Sequence, residues 1–223
     1  MVLEAIPGET IARKIQRDDE FERAREVLVS DLGRALGQIH SMPVDAVDGL
    51  EPTDPITAYT EQLDELGQPH PVLELVRRWL IEHRPPSREP AIVHGDFRLG
   101  NMIIGHDGLN AVIDWELAHL ADPMEDLGWL CVKAWRFGQE PPVGGLGSRE
   151  RLFEAYERSS GRPIDPDVVF WWEVVGTWKW AIMCIRQAHS HRSGDARSHE
   201  LAAIGRRVCE NEHDLLVMLE DRW

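Results

Sequence analysis

Three short runs rich in isoleucine and valine, "AIVHG", "NMIIG" and "NAVIDW", fall between Ala91 and Trp115. Each is too short for a helix, so the pattern predicts small strands around loops. The flanking chain has another period. From Asp18 to about Met42, the residues Phe21, Ala24, Leu28, Leu32, Ala35, Leu36 and Ile39 recur at three and four, one face of an amphipathic helix. Shorter helices are expected over 56–66 and 71–83, beyond a Pro- and Asp-rich loop at 43–56. "DPDVVFWWEVVGTWKWAIMCIRQAHSH" opens a long helix, with Asp165 as N-cap and Pro166 at the first helical position. A last helix is expected from about Arg197 to Glu220, and "MVLEAIPGET" reads as a short strand broken at Pro7-Gly8. The expected fold is α+β and mainly helical, with one compact strand-and-loop element in the middle.

Composition narrows the partners. A net charge of −15 argues against nucleic acid or an anionic membrane surface, because phosphate binding draws on Lys and Arg. Cys131, Cys184 and Cys209 match neither a zinc pattern nor a disulfide framework and are expected as small buried groups on helices. The apolar run around Val168–Ile185 is interrupted by Glu173 and Lys179, which argues against a membrane span. Nothing at the start resembles a signal peptide, and a reducing cytoplasm is the expected compartment. Trp171, Trp172, Trp178 and Trp180 cover more than one helical face and are expected mainly in the core. "QEPPVGGLGSRE" (139–150) is the best candidate for a mobile loop.

The chemistry concentrates in "IVHGDFRLGN" and "VIDWE". Taken alone, the first is accounted for by a turn, since Gly, Asp and Asn are common turn residues. Together they place two oxygen ligands, Asn101 and Asp114, at the ends of adjacent short strands, where they could converge on one point. Magnesium prefers oxygen ligands and often takes only one or two from protein. Asp96, offset from that pair, could accept a proton from a substrate hydroxyl, and this division of labour is how kinases transfer phosphoryl groups. A two-metal phosphoesterase built on His94, Asp96, Asn101 and Asp114 is the competing reading. It needs further histidines at strand ends, whereas His189, His191, His199 and His213 fall on expected helices or helix ends.

These residues resemble the aminoglycoside phosphotransferase-like small-molecule kinases. "HGDFRLGN" resembles their catalytic loop, "VIDWE" their metal-binding element, and "LADPMEDLGWL" the helix-opening segment that follows. "MVLEAIPGET" is similar to the hinge strand between the two lobes, and "LGRALGQIHSM" to a helix ending in histidine. The spelling is closest to the branch related to acyl-CoA dehydrogenases. The resemblance implies that residues 1–223 form the C-terminal (large) lobe of a kinase-like fold. Within it, 1–9 would be hinge, 10–90 a helical region with an insert, 91–126 the catalytic and metal-binding loops, and 127–223 the C-terminal helices. It implies ATP and Mg²⁺ as cofactors and a small-molecule hydroxyl as acceptor, held by the insert at 41–90 and the C-terminal helices. Asp96 would be the catalytic base, Asn101 and Asp114 the Mg²⁺ ligands, and the backbone of Glu4, Ala5 and Ile6 the adenine contact. His94 would be structural, and Asp126 would brace the loop by accepting backbone N–H bonds. Arg98 and Glu116 accompany the motif with no assigned role, and a plain salt bridge accounts for either.

One departure matters. The first thirty residues contain only Gly8, so they hold no glycine-rich phosphate loop, and Lys14 follows the hinge rather than preceding it. The N-terminal lobe is therefore expected to be absent. The chain would be a fragment or have a misassigned start, work with a small lobe from another polypeptide, or bind without catalysing. At best trace activity is expected of the chain alone, along with self-association through the exposed lobe interface.

Overall fold

The computed structural model describes residues 5–222. The three-and-four apolar period produces α2 (Glu22–Ile39), after α1 (Ala12–Arg17) and a 3₁₀ turn at Asp19–Phe21. Its Leu28, Leu32 and Leu36 are fully buried. Proline at the first turn starts both α3 (Pro55–Leu66) and α4 (Pro71–Glu82), where the missing N–H costs no intrahelical bond. The strand-and-loop element follows as β1 (Ala91–Val93), β2 (Met102–Gly105), β3 (Gly108–Val112) and β4 (His119–Ala121). Then come α5 (Met124–Cys131), α6 (Arg149–Ser160), α7 (Pro166–Ser193), α8 (His199–Ile204) and α9 (Arg207–Met218).

Two antiparallel two-stranded sheets form among the described residues. β2 and β3 make a hairpin, with Met102 opposite Val112 and a bulge between Ile103 and Ile104. β1 pairs with β4, Ala91 opposite Ala121 and Val93 opposite His119. β4 has no sequence signature of its own: "HLA" is short, and it is strand only because β1 offers it an edge.

α2 lies against α6 so closely that a methyl added at Gly33 would meet the Leu152 carbonyl oxygen at 2.6 Å, and one at Gly37 the Ser159 side chain at 2.6 Å. α5 and α7 approach in the same way, Gly128 facing the Trp172 backbone. α7 is the central helix: the Asp165 side chain accepts from the Asp167 N–H at its start, and Trp171, Trp172, Trp178 and Trp180 are all buried. α7 is long and apolar enough to cross a membrane, yet 89% of its apolar window is buried within the fold. Its two interior charges are paired there. Glu173 meets Arg136 at 3.0 Å and also Arg149, while Lys179 faces Glu125 at 3.5 Å.

Several expectations are corrected. No strand spans the hinge-like segment among the described residues. Ala5–Pro7 carry no regular structure, and pairing is limited to the bridge between Glu9 and Ile104, N–H to O at 2.9 Å both ways. Residues 1–4 of that expected strand lie outside the described residues. The expected last helix is two, α8 and α9, separated at Gly205. Cys131 and Cys184 are buried, but Cys209 is exposed. The segment 139–150 is tied down: Val143 is buried, the Gly144 N–H donates to the Leu130 carbonyl, and the Gly144 carbonyl accepts from Gln16 at 2.8 Å.

Candidate active site

The loop after β1 is fixed from behind. Asp126, at the start of α5, accepts the His94 N–H at 2.7 Å through Oδ2 and the Gly95 N–H at 2.9 Å through Oδ1. His40, just past the end of α2, reaches Oδ2 at 3.1 Å through Nε2, and its Nδ1 meets the Tyr156 hydroxyl at 3.1 Å. All of this is buried. Burial alone would raise the Asp126 pKa, but the hydrogen bonds and charge of His40, with the His94 amide, outweigh it and hold the carboxylate below its ordinary value. Gly95 sits at φ +78°, and a methyl group there would lie 2.4 Å from the Leu117 carbonyl oxygen, so only glycine fits. His94 is structural as expected: its Nδ1 accepts the Asp96 N–H, which leaves Nε2 to donate to the Ile113 carbonyl at 3.0 Å.

Asp96 then emerges facing a ring of donors. Asn101 Nδ2 donates to Asp96 Oδ2 at 2.6 Å and to the Asp96 carbonyl at 3.0 Å. Trp129 Nε1 donates to Oδ1 at 2.8 Å. Arg98 Nε is shared between the two oxygens at 3.1 and 3.2 Å. Because the Asn101 amide nitrogen is spent on Asp96, its Oδ1 is the atom left for a cation. The Ile113 N–H donates to the Asn101 carbonyl at 3.0 Å, which brings the strand leading to Asp114 alongside. Asp114 is not in the strand itself. It lies beyond β3 at φ 68°, in the left-handed region, and opens a 3₁₀ turn with its side chain exposed. Asp tolerates that region better than most residues.

The structure thus brings Asp96 and Asn101 into contact and holds the Asp114 backbone beside Asn101. A carbonyl oxygen and a carboxylate are hard donors suited to Mg²⁺, with phosphate and water completing the shell. Among the described residues, no three His, Cys, Asp or Glu side chains gather where they could hold a metal. The later histidines lie on α7, α8 and α9. Ile6 is exposed, Ala5 carries no regular structure, and Glu4 lies outside the described residues. Glu116 is exposed, while Arg98 does form an ion pair, with Asp96.

Two contributors have no motif behind them. Trp129 reads as a core residue of an apolar helix, yet it binds the Asp96 carboxylate. Lys179 on α7 reads only as an interruption of an apolar run. Its Nζ donates to the Gly95 carbonyl at 3.2 Å and lies over the Trp129 ring at 4.8 Å. Burial works to lower the Lys179 pKa, but Glu125 beside it prevails and keeps it above the ordinary lysine value.

The sequence profile of the phosphotransferase enzyme family (APH) matches residues 1–167. Acyl-CoA dehydrogenase family member 10 of Mus musculus is 30% identical over 136 residues, 56% of this chain and 13% of that protein. The chain thus spans a small part of that relative's length. A Ralstonia eutropha JMP134 protein assigned to the aminoglycoside phosphotransferases superposes with a TM-score of 0.78 at 21% identity, over 98% of this chain and 72% of that one. The streptomycin–ATP–APH(2")-IIa ternary complex superposes with a TM-score of 0.54 at 19% identity, over 81% of this chain and 62% of that one. The fold is therefore the kinase-like one of these phosphotransferases, here mostly helical with two small sheets. With the profile covering most of its length, the Asp96 loop and Asp114 included, this chain belongs to the phosphotransferase enzyme family.

Proposed function

We propose that the chain carries the base and the metal-binding residues for transfer of the ATP γ-phosphoryl group to a hydroxyl of a small molecule. The observation that carries this reading is the Asp96–Asn101 contact at 2.6 Å, which spends the amide nitrogen and leaves the amide oxygen available beside the segment bearing Asp114. In the proposed step the acceptor oxygen forms its bond to the γ-phosphorus as the β–γ bridging bond breaks. ADP leaves with that electron pair, and Asp96 takes the hydroxyl proton. Asn101 Oδ1 and the Asp114 carboxylate would hold Mg²⁺, which neutralises charge on the phosphates. The family uses ATP, as the APH(2")-IIa complex illustrates, and the backbone at Glu4, Ala5 and Ile6 is assigned to adenine on the family pattern alone.

Calorimetry with Mg-ATP tests the reading. Asp114→Ala is expected to weaken binding about tenfold or more, the scale of one lost charge-assisted contact. Unchanged affinity in that variant, or no binding by the parent chain at millimolar nucleotide, sinks it. Turnover by the 223-residue polypeptide is expected to be at most a trace, because no glycine-rich loop precedes the catalytic residues in its sequence. Losing even one preorganised donor to a transition state costs about 10²–10³ in rate. A second reading, a binding or scaffold module with no catalysis, would be favoured by nucleotide binding without any phosphoryl transfer.

A further inference from the structure

The turn that follows Asp96 carries two unlike kinds of unspent group. The Asn101 N–H donates to the Arg98 carbonyl at 2.9 Å, so these two residues are tied into one 3₁₀ turn. From Asn101 and the exposed Asp114 beside it, the unspent groups are acceptors. Neither the Asn101 amide oxygen nor the Asp114 carboxylate has a hydrogen-bond partner among the described residues. From Arg98 they are donors. Its Nε is shared between the two Asp96 oxygens at 3.1 and 3.2 Å, and its side chain has no other hydrogen-bond partner among the described residues, which leaves Nη1 and Nη2 free. The guanidinium lies 5.0 Å from the Trp135 ring centroid and passes so close to Gly100 that a methyl group added there would overlap Nη1. Lys179, a second cation in the neighbourhood, is buried and already engaged by the Gly95 carbonyl and Glu125. One turn thus sets a pair of hard oxygens for a cation next to a fork for an anion, and a magnesium-bound phosphate chain presents both.

We propose that Arg98 gates the base: its guanidinium covers Asp96 until Mg-ATP is bound, then passes to the γ-phosphoryl oxygens and frees Asp96 for the acceptor hydroxyl. The inference rests on the phosphoryl-transfer reading and adds to it an order of binding, nucleotide before acceptor. Each Asp96 oxygen takes two donors, Oδ1 from Trp129 and Arg98, Oδ2 from Asn101 and Arg98, and a carboxylate has about four lone-pair sites. A hydroxyl hands its proton to Asp96 only after one donor withdraws. Trp129 and Asn101 are buried and hold their oxygens at 2.8 and 2.6 Å, whereas the Arg98 contacts are the longest of the set and its side chain is 27% exposed. Arg98 is therefore the donor that yields. The reacting geometry places its new partner within reach. The acceptor oxygen must lie about 3 Å from Asp96 and about 3–3.5 Å from the γ-phosphorus, so the phosphoryl group comes within about 7 Å of the carboxylate that Arg98 touches. Its oxygens match the planar guanidinium fork and take both idle Nη donors. ADP is one phosphoryl group shorter and does not supply them.

The experiment compares Mg-ATP with Mg-ADP by calorimetry on the full 223-residue chain and follows the Arg98 Nε–H resonance by NMR, assigned through its loss in Arg98→Gln. Expected is a preference for Mg-ATP of about tenfold or more, the scale of charge-assisted hydrogen bonds to one phosphoryl group. Arg98→Gln should reduce that preference to within about twofold and Arg98→Lys should keep part of it, with Mg-ADP affinity unchanged in both. The Arg98 resonance should move when Mg-AMP-PNP, a non-hydrolysable ATP analogue, is added and stay in place with Mg-ADP. Retained Mg-ADP binding in the variants separates a lost contact from a lost fold. Three results would each overturn the gate: a nucleotide preference that Arg98→Gln leaves alone, equal weakening of both nucleotides in that variant, which marks a purely structural arginine, or a resonance that ignores the analogue although the analogue binds. Any of the three leaves the phosphoryl-transfer reading standing. No nucleotide binding by the parent chain removes that reading and the gate with it.

Discussion

Asp126 shows how one buried carboxylate sets the geometry of the loop. Its two oxygens take two consecutive backbone amides and a histidine, so the peptide before Asp96 has a single way to lie. Asp126→Asn keeps the size and loses the charge, and its amide group must then point a donor at a donor. We expect a loss of about 3–5 kcal/mol in urea unfolding, the range for breaking one side of a buried charged network. A loss under about 1 kcal/mol would mean that the loop is held by something else. The bracing role of Asp126 and the structural role of His94 were legible in the sequence because their partners lie within the motif segments. The Trp129 contact was not. It spans 33 residues and exists only because α5 turns that indole inward, which no local pattern encodes. Glu116, left without a role by its sequence, is exposed and acquires none from the structure.

At the scale of elements, α7 is joined to the loop after β1 through Lys179. Lys179 holds the Gly95 carbonyl and faces Glu125, which in turn meets His119 Nε2 at 3.2 Å. His119 Nδ1 faces the Leu117 carbonyl at 2.9 Å, so both ring nitrogens point at acceptors and only the imidazolium satisfies both. Burial pulls the His119 pKa down, but Glu125 and the Leu117 carbonyl pull harder, and the net shift is upward. A raised folded-state value means that the folded protein binds the proton more tightly than the unfolded chain does. The stabilisation is then complete below about pH 6.5 and disappears as pH rises through the folded-state value. Melting temperature should fall across that window in the parent protein and fall less in His119→Gln; identical slopes would refute the linkage. α3, α4 and the start of α7 were readable from sequence to within a residue, whereas α2 starts four residues later and ends three earlier than its apolar period suggested. β4 and the break between α8 and α9 were not, because a three-residue strand and a kink at Gly205 depend on what lies beside them.

At the scale of the molecule, the net charge and the surroundings of Asp96 differ in sign. A net −15 is a property of the surface as a whole, whereas Asp96 is surrounded by Arg98, Asn101, Trp129 and, one layer back, Lys179. Next to Asp114 two large apolar side chains are exposed on either side of Glu116. Trp115 is 39% and Leu117 38% exposed, and Trp115 borders a cavity of about 680 Å³ that Ile39, Met42 and Ile92 also line. We propose that this face mediates self-association of the chain or docks a separate N-lobe polypeptide. Light scattering should then show a mass that rises with concentration in the micromolar range, and Leu117→Glu should abolish the rise. A monomer at every concentration counts against the self-association arm.

The pairing of β1 with β4 has a consequence for all of this. The segment from Val93 to His119 is clasped at both ends by this pair, and its Phe97, Leu99, Met102 and Ile104 are buried in the core between them. Asp96, Asn101 and Asp114 all ride on that single closed excursion. Opening that pair would loosen both ends of the segment at once, while the β2–β3 hairpin still ties Asn101 to the strand that leads to Asp114.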